Sequence, residues 1–173
     1  MPDPQTASPH SLYSRYREML IEHLFAGELM KFLWLRNHAR VELLKPQVDD
    51  SGYDLVLEAN GVVRHVQLKS SHSQASTGDV KVSLSLAEKP SGCVVWTLFD
   101  ETTMTLGPFL WFGSDPGRPL PNLIAFKVAK HTKGTSEGVK LPRPNLRVVP
   151  KSSFTRVLTV EELVRRLFGS LQT

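Results

Sequence analysis

The sequence predicts an α/β domain built on a mixed central sheet, and three observations carry that expectation. A long helical pattern opens the chain, a series of short strand patterns fills its middle, and a capped amphipathic segment ends it. The 173 residues fit a single domain, 1–173, large enough to bury a proper core. No internal repeat or low-complexity tract divides it, and Pro and Gly only punctuate the periodic segments.

The opening helix is expected from a cap at Ser11 to about His38, because Leu12, Tyr16, Met19, Leu20, Leu24, Phe32 and Leu35 recur at helical spacing and no Pro intervenes. Gly27 weakens this helix without ending it. Strand patterns follow at 41–44, 53–59, 62–70, 80–86, 93–99, 104–112, 122–129 and 145–149. In the tail, Thr159-Val160-Glu161-Glu162 matches a capping box, Leu163, Val164, Leu167 and Phe168 form an apolar stripe, and Gly169 can close a short helix.

Composition narrows the function classes. No apolar run approaches a membrane span, and Met1 to His10 lacks the basic-then-apolar order of a secretory signal, so a cytoplasmic protein is expected. The single cysteine, Cys93, sits in an apolar strand pattern and reads as core, which excludes an internal disulfide and argues against a thiolate zinc site. The net charge of +4 is modest but unevenly spread. Between Lys127 and Lys151 lie Lys130, Lys133, Lys140, Arg143 and Arg147 as well, against Glu137 as the one carboxylate. Such a stretch suits a polyanion, because Lys and Arg near phosphates displace condensed counterions; read blandly, it is a solvated Lys-rich loop. Phe109-Leu110-Trp111-Phe112, which an interaction domain could expose as a patch, reads instead as strand core.

The chemistry begins at Asn60-Gly61, a strong hairpin signal between Tyr53–Ala59 and Val62–Lys69. A two-residue turn makes Ala59 and Val62 partners and sets Asp54 opposite Gln67, with Lys69 as their diagonal neighbour. Alternation then puts Asp54, Gln67 and Lys69 on one face and Tyr53, Leu55, Leu57, Val66 and Leu68 on the other. Opposed β-carbons lie about 5 Å apart and diagonal ones about 7 to 8 Å, so one hard cation could touch Asp54 and Gln67 beside an ammonium group. Mg²⁺ prefers oxygen ligands, and a carboxylate, an amide oxygen and a main-chain carbonyl, that of Leu68, form such a set. The same residues also read as the wet face of a hairpin, His65 included.

Glu28 is expected to join them, since its helical neighbours Ile21, Leu24, Phe25, Phe32 and Leu35 are apolar and a buried carboxylate needs a cation. Its bland alternative is a pair with Lys31 at the helix margin. Glu22 ranks second; with Glu18, Arg15 and Ser14 it reads as a solvated face.

A helix bearing Glu, a loop into Gly52-Tyr53-Asp54-Leu55, a hairpin and then Val66-Gln67-Leu68-Lys69-Ser70 together resemble the PD-(D/E)xK nuclease superfamily. The branch resembled has Gln in place of the acidic residue, and the likeness is specific over Leu12 to Ser71. It implies a restriction endonuclease-like mixed central sheet with a long N-terminal and a short C-terminal helix. It implies Glu28 as helix carboxylate, Asp54 as metal ligand, Gln67 as variant ligand and Lys69 as catalytic lysine, with Asp49 and Asp50 as weaker ligands. The implied function is a nuclease that hydrolyses DNA with Mg²⁺ (or Mn²⁺) in defence, repair or mobile-element biology. The alternative is a non-catalytic nucleic-acid-binding module on the same fold. DNA is the expected partner, no membrane is involved, and a homodimer is left open.

Overall fold

The computed structural model describes residues 13–48, 51–134, 136 and 138–170. Helix α1 covers Ser14–Asn37. The expected cap Ser11 and first apolar position Leu12 lie outside the described residues, as do Asp49, Asp50 and Glu137. The buried stripe of α1 is Ile21, Phe25, Leu29 and Leu33, whereas Tyr16, Met19 and Leu35 of the expected stripe are exposed. The helix is thus rotated from the expected phase, because its large apolar residues are not confined to one face.

The main sheet has six strands: β1 (Glu42–Leu44), β2 (Leu55–Ala59), β3 (Val62–His72), β5 (Gly92–Phe99), β6 (Leu106–Gly113) and β9 (Thr155–Val157), in that spatial order. The β3–β5 pair is parallel and the other pairs are antiparallel, so the sheet is mixed as expected. A second antiparallel sheet runs β4 (Asp79–Ser83), β8 (Pro142–Pro150), β7 (Lys127–Lys130). Two further α-helices among the described residues are the one-turn α2 (Leu84–Ala87) and α3 (Val160–Phe168), and a 3-10 turn covers Lys151–Ser153.

Several boundaries differ from expectation for local reasons. The strand expected at 80–86 stops at Ser83, whose hydroxyl accepts from Ser85 N–H and starts α2. The strand expected at 122–129 begins only at Lys127, because Asn122 Oδ1 accepts from Ile124 N–H and Phe126 N–H reaches Leu123 O, turning the chain first. Strand β6 starts at Leu106 rather than 104, after Asp100 Oδ1 has gathered Thr102 N–H and Thr103 N–H into a turn. Strand β9, three residues long, gave no sequence pattern.

Both faces of the main sheet are covered. One face packs on α1 and α3 through Phe25, Leu29, Leu33, Leu55, Leu57, Val66, Val95, Leu163 and Leu167. The other packs Val94, Trp96, Leu98, Leu110 and Phe112 against Val82, Leu86 and Val149 from β4, α2 and β8. Every residue of β5 is therefore buried, Cys93 among them, and burial pushes that thiol up to about 12. Thr159 caps α3 by accepting from Glu162 N–H at 3.1 Å, while Glu162 reaches back to Leu158 N–H at 3.0 Å. No helix among the described residues is long and apolar enough to cross a membrane.

Candidate functional site

Asn60 and Gly61 both take positive φ, the type I′ requirement, and the ladder runs from Ala59↔Val62 to Leu55↔Val66. Asp54 stands one step beyond that ladder. Its N–H donates to Val66 O at 2.9 Å, and its carboxylate Oδ2 accepts from Leu68 N–H at 2.6 Å. The carboxylate thus takes the place of a main-chain acceptor where β2 has not yet begun, which fixes it against Leu68.

Gln67 and Lys69 pair in parallel register with Val94 and Trp96, so they belong to the face of the sheet that looks towards β4 and β8. Gln67 is 7% exposed, and its amide oxygen accepts a long 3.4 Å bond from Ser83 N–H. Lys69 is half-buried and has no hydrogen-bond or ion-pair partner among the described residues. The two open onto a cleft of about 570 Å³ whose other walls include Gly52, Lys81, Ser83, His131, Arg143 and Asn145. None of the described residues lining it is a carboxylate. Gly52 is required here twice over: its φ is +78, and a Cβ would stand 2.7 Å from Ser83 Cβ. Tyr53, expected beside Leu55 on the core face, packs on the opposite side instead, because alternation does not extend past the start of β2. There it meets His65 edge-to-face, and burial with neighbouring Lys89 holds that imidazole below its ordinary value.

Glu28 is not buried among apolar groups. Its side chain is 41% exposed and pairs with Lys31 Nζ at 2.7 Å, since the rotated stripe puts it on the helix margin. Next to it, Met30, Lys31 and Trp34 border Glu58, Ala59 and Asn60 in a larger cleft of about 890 Å³, towards the hairpin turn. At the other end of α1, Arg17 lies over the ring of Phe99, the partner of His72. Glu22 therefore lies further from the turn than Glu28. Expected on a solvated face, it is only 17% exposed at its side chain and pairs with Lys45 at 2.5 Å, directly after β1. Leu44 opposes Val56, two residues from Asp54, so Glu22 is the helix carboxylate placed nearer that end of the hairpin. Among the described residues no three His, Cys, Asp or Glu side chains gather into a metal-holding group.

Of the expected basic residues, Arg143 lines the Lys69 cleft. Lys127, Lys130, Lys133 and Lys140 are exposed, and Arg147 is half-buried, its guanidinium donating to Pro144 O at 2.6 Å. Sequence reading missed Lys81 and His131 as neighbours of Lys69. Parity on the hairpin cannot find them, because Lys81 arrives on β4 of the second sheet and His131 directly after β7. It also passed over Arg64, which lies on the α3 side of β3 and is 0% exposed. Its Nε donates to Leu167 O at 2.6 Å, Nη1 to Ser91 Oγ at 3.2 Å, and Nη2 to Ser114 O at 2.8 Å and Arg166 O at 2.7 Å. Burial lowers its pKa, opposed by Cys93 and Asp115.

No family model and no curated protein matches the chain. Among solved structures, a bacterial homing endonuclease aligns at 22% identity over 66% of this chain and 80% of that one, with a TM-score of 0.28. So loose a likeness leaves the chemistry to be argued from the residues.

Proposed function

We propose that this domain hydrolyses phosphodiester bonds in DNA, holding the substrate in the Lys69 cleft and using Mg²⁺ (or Mn²⁺). The observation that carries this reading is that Gln67 and Lys69 of the hairpin open onto the same cleft as Lys81 and Arg143 of the second sheet. A phosphate chain entering there meets cations on two walls, and flanking phosphates held by Lys81 and Arg143 leave Lys69 beside the reacting one. The donor set fits a hard cation in kind: the Asp54 carboxylate, the Gln67 amide oxygen and the Leu68 carbonyl are all oxygens. With one carboxylate in the set and Lys69, Lys81 and Arg143 lining the cleft, the ion would be held weakly without phosphate oxygens to complete the set. When bound, the ion lowers the pKa of a coordinated water and offsets charge on the phosphate. Lys69 adds a fixed positive charge at the phosphate oxygens. Of the α1 glutamates, Glu22, held by Lys45 near the Asp54 end of the hairpin, is better placed than Glu28 to act as a helix carboxylate, from the α1 side of the sheet rather than from within the cleft.

A second reading, a non-catalytic DNA-binding module, draws on the carboxylate-free cleft and on Asp54 being engaged by Leu68 N–H. Cleavage assays on single-stranded, duplex and branched DNA with either metal, beside a binding titration, separate the two. Binding without cleavage of any substrate leaves only the second reading.

A further inference from the structure

The hairpin of β7 and β8 continues beyond the part of it that packs on the core. Ala129 pairs with Arg143, Lys130 with Pro142, and His131 N–H donates to Leu141 O at 2.9 Å. From Lys130 to Asn145 every residue whose burial is described is exposed. Strand β4 pairs with β8 only as far as Leu146, so this two-stranded ribbon stands clear of the sheet. At the tip Gly134 lies against Gly138, where a Cβ on Gly134 would meet Gly138 main-chain atoms at 2.9 Å.

Edge protection alone does not explain the ribbon's composition. Pro142 and Pro144 already remove donors from the free side of β8, which is enough to discourage a further strand. Lys130, Lys133, Lys140 and Arg143 are added to them on a ribbon whose base, at His131 and Arg143, forms a wall of the Lys69 cleft.

We infer that this ribbon enters the major groove of duplex DNA whose phosphates lie in the Lys69 cleft, an inference that rests on the DNA reading above. A ribbon of about five residues per arm reaches roughly 15 Å at most. The major groove of B-DNA, about 12 Å wide and about 8.5 Å deep, admits a two-stranded ribbon. A single strand has no groove to enter, and the major groove of duplex RNA is too narrow for it. The substrate class is therefore B-form duplex, not a free strand.

The test measures binding of the full chain to a short duplex by fluorescence anisotropy. The same duplex is also prepared with glucosylated hydroxymethylcytosine, which fills the major groove, with a minor-groove ligand such as netropsin, as single strand, and as duplex RNA. Glucosylation should weaken binding about tenfold or more, netropsin should leave it unchanged, and single strand and RNA should bind less tightly than plain duplex. A variant in which residues 132–140 are replaced by Asn-Gly should bind plain duplex more weakly and lose its sensitivity to glucosylation. Equal binding of plain and glucosylated duplex by the wild type overturns the ribbon inference while leaving the cleft reading intact, and it does so whether or not the trimmed variant folds. Tighter binding to single strand has the same force. No binding to any nucleic acid removes the DNA reading itself, and the inference with it.

Discussion

Arg64 and Lys69 ride on the same strand, and their surroundings differ in kind. Arg64 lies on the α3 face of β3, sealed from water, with donors directed at three main-chain carbonyls and a serine hydroxyl. Two of those carbonyls, Arg166 O and Leu167 O, end α3, where the helix dipole is negative, and the guanidinium also lies 5.3 Å from the centre of the Trp111 ring. Lys69 faces the other way, into a cleft whose described walls offer it further cations and no carboxylate. A cation whose donors are all satisfied ties elements together. A cation gathered with others and left without an anion is poised for one from outside.

The comparison breaks first at Arg64. Arg64→Ala strips its acceptors of their donors and should cost about 3–5 kcal/mol of unfolding free energy in a urea titration. Arg64→Lys should recover only part, since one ammonium cannot serve so spread a set. A loss under about 1 kcal/mol for the alanine variant would mean that the network stabilises little.

At the other end, Lys69→Ala should lower cleavage at saturating DNA about a hundredfold or more, near 3 kcal/mol, with stability changed by less than about 1 kcal/mol. Affinity should barely move, because one charge among many adds little to counterion release. An unchanged rate would remove Lys69 from the chemistry.

Lys133→Ala combined with Lys140→Ala sharpens the contrast between a cation that reacts and cations that hold. Binding should weaken and its salt dependence flatten by about one unit of slope per lost phosphate contact, while cleavage at saturating DNA persists. The smallest effect is expected on α1. Glu28→Gln loses a surface pair and should shift stability by no more than about 0.5 kcal/mol, whereas Glu22→Gln, which strands Lys45 beside a largely buried group, should cost more and reduce cleavage. Equal behaviour of the two glutamates would withdraw the preference for Glu22.

Much of the fold was legible because its rules are local. The Asn60-Gly61 turn sets its own register, and parity along β3 separates Gln67 and Lys69 from Val66 and Leu68 without further information. The Thr159 cap is likewise a matter of three residues. The place of Glu28 is not legible from spacing because Tyr16, Met19 and Leu35 carry the apolar pattern yet are exposed, and one residue of helical phase turns a side chain by about 100°. Arg64 shares the parity of Val66 and Leu68, yet nothing near it in sequence announces acceptors that come from α3. Lys81 and His131 escaped for the same reason of distance, since their neighbours on β3 belong to another sheet.

The parallel pairing of β3 with β5 also orders events during synthesis. No tight turn can join parallel strands, so the chain must pass through β4 and α2 before β5 can close on β3. The β2–β3 hairpin with Gln67 and Lys69 can form as soon as it leaves the ribosome, but β4 then waits for β8, which is made only after β5, β6 and β7. Until Arg143 arrives, Lys69 has no opposing wall from β8, and β4 carries Val80 and Val82 without their partner strand. The proposed phosphate-holding cleft is thus complete only once β8 has been made, and a chain stopped before β8 lacks one of its walls.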